Sequence, residues 1–522
     1  MTSKNQTKRV LLIRPYFEMQ KNELGFLPFE PLGLQYLYSA LAAQGHQVAL
    51  YDCLVEHPEK TVFLQSANIY RCGSSDEDII KKIRQFKPQV VAISGMFFAQ
   101  AKAFFHVAAL AKQTDSSILV VGGGNFPSLY QKQILADDKN FDFIIIGEGD
   151  ESLPKLLQNL ENPATVRGLA YRQADGQAAV TAPRPMKMNL DDLPLPWRDF
   201  DRLYDYAKHV GYNWSDSFNL KKAVKRFIYY QALSWPIIRN CFAAIFNYQR
   251  RNKPKALFIP HACISSSRGC PNRCTFCAVH KFYGGVYRMR SAQSVLAEID
   301  LLVKRGVKEI MIIDDNFTVS RSRTIEICRA IIDRKYKIRL SMPSGLYIPS
   351  LDREVLEYLF KAGLTDLSFA VENGDQAFLD NIIRKKLDLQ QAQKIIQQAN
   401  EIGFYTTGFF IFGYPGETRS TMLKTLRYAF ESSLHSSRFY ILQPFPGTEA
   451  YQMAKEMGAI KEELDLSRLK VMTEVPQIAT KDFTREDVKK IHTLANDILA
   501  KRNYETIKDK LPELLGWERD KL

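Results

Sequence analysis

The chain has 522 residues, 46% of them hydrophobic and 25% charged, which predicts a globular protein of about two to four domains and no long disordered arm. No run of about 18 uncharged apolar residues predicts a spanning helix, and the start MTSKNQTKRVLLIRPYF reads as a strand rather than a signal peptide. The net charge of +14 admits nucleic acid, anionic lipid or phosphorylated small molecules as partners, or a generally basic surface with none.

In chain order, RVLLIRPYF (9–17) reads as a buried strand, 31–46 as a helix ending at Gly45, and 47–53 as the next strand. An amphipathic helix (76–87), a strand (90–97), a helix near 100–113, a strand (117–124), a helix near 127–136 and a strand (141–150) follow, then a helix over 151–160. Apolar strands alternating with helices predict a doubly wound, Rossmann-like parallel sheet over 1–165. Residues 166–201 begin with an Asp-Gly hairpin and end in the Pro-rich, acidic linker LDDLPLPWRDFD. Residues 202–258 fit neither neighbour. Within them, 221–255 carries nine Lys and Arg, no acid and seven interleaved aromatic residues. It reads as a helical insert with a solvated basic rim, or as an interfacial amphipathic element resting on anionic lipid; RNA is the least favoured partner. A second βα series spans 259–458. Its strands fall near 262–268, 309–315, 338–344, 366–372, 405–413 and 437–443, with helices near 291–305, 320–335, 352–363, 388–402 and 418–432. Six such units predict a partial (β/α)6 TIM-type barrel with its chemistry at the C-terminal strand ends. Residues 459–522 read as a helical tail.

Eight cysteines are too sparse for a disulfide scaffold. Cys53, Cys72, Cys241, Cys263 and Cys328 are scattered, and the pattern predicts a reducing cytoplasm, with peripheral membrane contact through 221–255 as the variant. Three others cluster. SSSRGCPNRCTFCAVH places Cys270, Cys274 and Cys277 in a C-x3-C-x2-C spacing, in the loop after the first strand of the second series. Thiolates are the ligands that iron–sulfur clusters need, and three of them leave the fourth iron of a cubane open. The alternative is a zinc site with His280 as fourth ligand. The position at a barrel's first strand and the aromatic Phe276 favour iron–sulfur.

The spacing C-x3-C-x-[aromatic]-C after the first barrel strand resembles the radical S-adenosylmethionine (SAM) superfamily. The likeness runs over 262–447, through YRMRSAQSVLAEI, IMIIDDNFT, FAVENGD and GFFIFGYPGET. It implies a 4Fe–4S cluster whose open iron chelates SAM, one-electron cleavage to a 5′-deoxyadenosyl radical, and an external reductant of flavodoxin or ferredoxin type. It also implies SAM contacts: Phe276 beside the cluster, Asp314 and Asp315 near the methionyl amine, Glu372 near the ribose, Gly413, Tyr414 and Pro415 near the adenine, and Ser344 at the third strand. Acids at strand ends accept hydrogen bonds from an ammonium or a diol. Tyr347, Tyr414 and Tyr440 stand near strand ends, as cavity lining or as packing at the rim.

In the first domain, a parallel sheet binds ligands at the carboxyl ends of its strands. The loops there are Ser94-Gly95-Met96, Gly122-Gly123-Gly124-Asn125 and Gly147-Glu148-Gly149. Their order, with the hairpin and DDLPLPWRDFD after them, resembles the cobalamin-binding domain upstream of many radical SAM enzymes. No Asp-x-His-x-x-Gly motif occurs, so the lower cobalt face has no assigned ligand; His46, His57 and His106 read as structural or surface residues.

Together these likenesses imply a cobalamin-dependent radical SAM enzyme. The expected reaction is methyl transfer from methylcobalamin to an unactivated carbon of a small-molecule or lipid-like substrate. The alternatives are an oxidative cyclase or rearrangement enzyme, an RNA methylthiotransferase, and a cobalamin-binding sensor. No general acid or base is assigned.

Overall fold

Val10, Leu11, Leu12 and Ile13 are all fully buried, and that fact organises the first half of the chain. Successive strand residues face opposite sides, so four buried in a row need cover on both. Leu11 and Ile13 pack with Val91, Ile93 and Phe104, while Val10 and Leu12 pack with Val90, Ala92 and Leu34. The computed structural model describes residues 7–20, 29–57, 61–64, 69–203, 261–460, 475–497 and 501–517. The basic aromatic stretch 221–255 lies outside the described residues.

The strands are β1 (Arg9–Arg14), β2 (Phe17–Gln20), β3 (Gln47–Asp52), β4 (Thr61–Leu64), β5 (Ile69–Cys72), β6 (Val90–Ser94), β7 (Leu119–Gly123), β8 (Phe143–Ile145), β9 (Leu169–Arg172) and β10 (Ala178–Val180). The main sheet has the order β3-β1-β6-β7-β8-β9-β10. It is parallel from β3 to β8, and the expected hairpin β9–β10 continues it antiparallel. Helices Asp76–Phe86, Ala101–Thr114 and Asn125–Asp137 cover one face; Leu32–Ala42 and Gly149–Gln158 cover the other. This is the doubly wound layer read from the sequence. A small antiparallel sheet, β2-β5-β4, was not foreseen. β1, β6, β7 and β8 are all shorter than expected. β8 stops at Ile145 rather than 150, because Gly147 turns left-handed at φ 74° and Asp150 and Glu151 enter the first helical turn, where acids suit the dipole.

The second unit holds β11 (His261–Ile264), β12 (Ser267–Arg268), β13 (Arg288–Met289), β14 (Glu309–Ile312), β15 (Arg339–Ser341), β16 (Asp366–Glu372), β17 (Tyr405–Phe412) and β18 (Ser436–Ile441). β11-β14-β15 and β16-β17-β18 are parallel triplets, joined by the parallel bridges Leu340–Leu364 and Leu346–Phe369. Six parallel strands in chain order form the partial barrel; among the described residues no pairing closes β18 onto β11. The intervening helices begin where side chains cap them. Ser291, Asp352, Asp388 and Thr418 each accept from the amide three residues on. In the tail, helix Arg485–Asp497 packs on β18, with His492 bonded to the Phe439 carbonyl.

The segment expected as a linker is a strap. Trp197 stacks on Tyr38 at 4.3 Å, and Asp191 accepts from the Ser291 amide of the barrel. Arg198, buried, reaches Glu30 at 3.3 Å on the first-domain side and Glu298 at 2.7 Å on the barrel side, while Glu30 also accepts from the Cys263 amide of β11. Arg290 completes the pairing of Glu298. Glu298→Ala leaves Arg198 and Arg290 buried with one anion fewer, so we expect a stability loss of about 3–5 kcal/mol. Arg321→Ala, which breaks an exposed pair with Asp352, leaves the midpoint nearly unchanged. Urea unfolding of the two variants side by side checks the contrast.

Candidate active site

The cysteine loop leaves β12 through Gly269. Its φ is 88°, and a Cβ there would stand 2.3 Å from the Val286 carbonyl oxygen, so only glycine fits. The Gly269 amide donates to Asp315 at 3.1 Å. Beyond Cys270 the loop is pinned at Thr275. Its amide donates to the Ile383 carbonyl at 3.0 Å, its hydroxyl to Ile382 at 2.9 Å, and its carbonyl accepts from Ala450. Its hydroxyl also bonds Tyr414, whose ring lies edge-on to Phe276. Cys274 is buried; Cys270 and Cys277 are half-buried. Burial pushes the Cys274 thiol up to about 11 and Cys277 to about 12, while the Lys385 ammonium pulls Cys274 back. Asn272 stands 3.5 Å from the Cys270 sulfur. Among the described residues no three His, Cys, Asp or Glu side chains meet as ligands of one ion. Three free thiols on one loop are the donor set that a cubane cluster takes, one to each of three irons.

The strand ends around this loop differ from expectation in instructive ways. Asp314 is buried and accepts from the Ser266 amide at 2.6 Å and from the Ser266 and Ser267 hydroxyls. Its carboxylate holds the strand leading to the cysteines and is not offered to a ligand. Asp315 is the acid that opens to solvent at the mouth, and crowding by protein and by Asp314 pushes it up to about 6. Glu372 ends β16 at a bulge with φ 73°, a strained geometry for a non-glycine residue, and pairs with buried Lys385 at 2.9 Å. The Gly413 and Tyr414 amides are both taken by Glu417, at 2.8 and 3.0 Å, and Asn373 donates to its other oxygen. These two N–H groups are therefore spent inside the turn. Pro415 is buried with them, and Ser344 is exposed in the turn after β15. Tyr414 is packed beneath the cysteine loop; Tyr347 donates to the Lys386 carbonyl, and Tyr440 packs on Phe409. Sequence reading missed Lys385, Asn373 and Glu417.

In the first domain the glycines divide. A Cβ on Gly95 would meet Pro127 at 2.8 Å, on Gly122 Ile144 and Phe104 at 2.7 Å, and on Gly124 the Gly95 oxygen at 2.8 Å. These three let the loops close on one another, as the 2.7 Å bond from the Gly95 amide to Gly123 shows. Gly147 has open space around its Cα, and Gly123 nearly so. Met96 and Asn125 are exposed on the same rim, and Ser94 is half-buried at the end of β6. Gly149 packs on Leu37. The Glu148 carboxylate is fully occupied: Arg184, Arg268 and Arg288 each reach it within 2.9 Å, holding it near 2 despite burial.

These loops face the barrel. Phe98, just past Met96, stacks on Phe445 beyond β18 with ring centroids 5.1 Å apart, and Leu129 packs against Gly447. The C-terminal edges of both sheets thus meet beside the cysteine loop. A B12-binding domain model matches residues 27–157, and a radical SAM superfamily model matches 264–429. The chain belongs to the cobalamin-dependent radical SAM enzymes. Its cofactors are a 4Fe–4S cluster, SAM and cobalamin. It is 27% identical over 88% of its length to cytidylyl-2-hydroxyethylphosphonate methyltransferase of Streptomyces wedmorensis, covering 84% of that protein. It is 25% identical over 90% of its length to the anaerobic magnesium-protoporphyrin IX monomethyl ester cyclase of Rubrivivax gelatinosus, covering 73% of it. The radical SAM methyltransferase TsrM of Kitasatospora setae, solved with cobalamin and a 4Fe–4S cluster, shares the fold at a TM-score of 0.62 and 16% identity, over 87% of this chain and 79% of that one.

Glu417 gives the site a pH signature. Burial pushes its carboxyl up to about 8 from an ordinary 4.5. An acid whose folded pKa is raised contributes stability below its unfolded pKa and loses it as pH rises through the folded one. Thermal stability should therefore fall between about pH 4.5 and 8. Glu417→Gln keeps an acceptor for the two amides and carries no charge, so its melting profile should be flatter over that window.

Proposed function

We propose that this enzyme moves a methyl group from cobalamin to an unactivated carbon of a small molecule. Cys270, Cys274 and Cys277 hold the cluster in this reading. The observation that carries it is the apposition of the two sheet edges. Met96, Asn125 and Gly147 stand on the first-domain edge that meets the barrel near the cysteine loop, through the Phe98–Phe445 and Glu148–Arg268 contacts. When bound, the cluster supplies the electron that cleaves SAM, and the corrinoid carries the methyl group.

The protein's own work is placement and charge. Thr275, Gly269 and Tyr414 fix the backbone of the loop that carries the three thiols. Lys385 puts a buried cation beside Cys270 and Cys274, offsetting the thiolate charge. Asp315 would offer a carboxylate oxygen to the methionyl ammonium, and Glu372, held by Lys385, would accept from the ribose hydroxyls. The Gly413–Pro415 turn, closed by Glu417, presents a fixed surface to the adenine. Met96 and Gly147 leave an apolar, low-relief rim on which a flat macrocycle can rest. Substrates of lipid-like character, an external one-electron reductant and contact with a membrane through 221–255 belong to the same reading. No helix among the described residues is long and apolar enough to cross a membrane.

Anaerobic reconstitution with iron, sulfide and hydroxocobalamin, followed by an assay with SAM labelled in its methyl group, tests this. Labelled methyl should appear in a product formed from cell extract. The similarity to the cyclase favours one second reading, an oxidative ring closure, in which deoxyadenosine forms with no label transferred. Cys274→Ala should abolish both iron–sulfur absorption and deoxyadenosine formation. Retention of either removes that cysteine from the ligand set.

A further inference from the structure

Five charged groups meet where the two domains touch nearest the cysteine loop. Arg268 donates to Glu148 at 2.9 Å and to Asp150 at 2.6 Å, and its guanidinium lies 5.2 Å from the centroid of the Tyr36 ring. All of these partners belong to the first domain. Arg184 and Arg288 fill the remaining positions around Glu148. The side chains of Glu148, Arg184 and Arg288 are under a tenth exposed, and those of Arg268 and Asp150 little more.

Arg268 differs from its neighbours in what lies behind it. It stands two residues before Cys270. The backbone between has little freedom, because Arg268 is paired to Arg288 in the β12–β13 ladder, and Gly269 is fixed by its left-handed φ, by the Val286 carbonyl and by its bond to Asp315. On the other side, Glu148 follows Gly147 directly, and Gly147 is the rim glycine with open space around it. One guanidinium thus joins the loop at the end of β8 to the constrained backbone that leads to Cys270.

Resting on the proposed function, we infer that Arg268 is a positioning residue that sets the spacing between cobalamin and cluster. Its guanidinium is taken up by Glu148, Asp150 and the Tyr36 ring. It decides whether a SAM held at the cluster presents its methyl group to cobalt or is cleaved without transfer.

The test uses reconstituted holoenzyme with dithionite and SAM, and follows two soluble products. S-adenosylhomocysteine reports methyl loss to cobalt; 5′-deoxyadenosine reports reductive cleavage. In Arg268→Ala the ratio of S-adenosylhomocysteine to deoxyadenosine should fall at least tenfold. Arg268→Lys, which keeps one cation toward Asp150, should recover most of it, and Asp150→Asn should lower it from the other side if Arg268→Ala fails to fold. Hydrogen exchange gives a readout apart from turnover: amides 146–151 should exchange at least tenfold faster in Arg268→Ala holoenzyme. A ratio within twofold of wild type, or a parallel loss of both products in every folded variant, overturns the inference and leaves the methyl-transfer reading intact. Wild-type enzyme that makes no cobalamin-dependent S-adenosylhomocysteine overturns both.

Discussion

A carboxylate withdrawn from water needs cations placed against it, and this molecule meets that need across its domain boundary. Glu148 belongs to the first domain, yet two of its three arginines, Arg268 and Arg288, come from the barrel. Glu30 repeats the arrangement, with Arg198 of the strap joining it to Glu298. Neither half can bury these groups alone. A purely apolar boundary would allow sliding, since dispersion contacts have no direction. Forked guanidinium–carboxylate pairs admit one register, and register is what a site built from two cofactors on two domains requires. The stacked Phe98–Phe445 pair adds apolar area at the far side of the mouth without competing for that role.

Much of this was legible from sequence because it is written locally. Buried strands are apolar runs, and barrel helices begin at Ser291, Asp352, Asp388 and Thr418, residues that cap by their own side chains. The three cysteines sit within eight residues of chain, so their grouping needs no fold. What failed to show were groups that meet only in space. Lys385 lies 13 residues beyond Glu372 in a turn with no motif, and nothing local announces that it is buried against the cysteines. Glu417 is a common acid after a turn until the backbone folds both amides of Gly413 and Tyr414 onto it. Asp314 and Asp315 show the same limit more sharply. Adjacent residues at a strand end face opposite ways. Which one meets the mouth depends on register against β11, and the sequence reading placed both beside the ligand.

The glycine-rich loops carry a related lesson. Glycine permits close approach, but it does not say of what. At Gly95, Gly122 and Gly124 the approaching atoms belong to the protein itself, whereas at Gly147 the space is open. A loop with three glycines is thus mostly a packing device, with one or two positions left to face a ligand.

The net charge can now be read differently. Nine of the fourteen excess positive charges lie within residues 221–255, which contain no acid. The remainder of the chain is close to balanced, and the arginines at the domain boundary are matched: Arg184, Arg268 and Arg288 against Glu148, Asp150 and Glu151. Fields from paired charges fall off quickly and steer little. Most of the excess basicity is therefore a property of one stretch of sequence. Charges already matched at the domain boundary hold the two halves together and leave little field there for an anionic substrate.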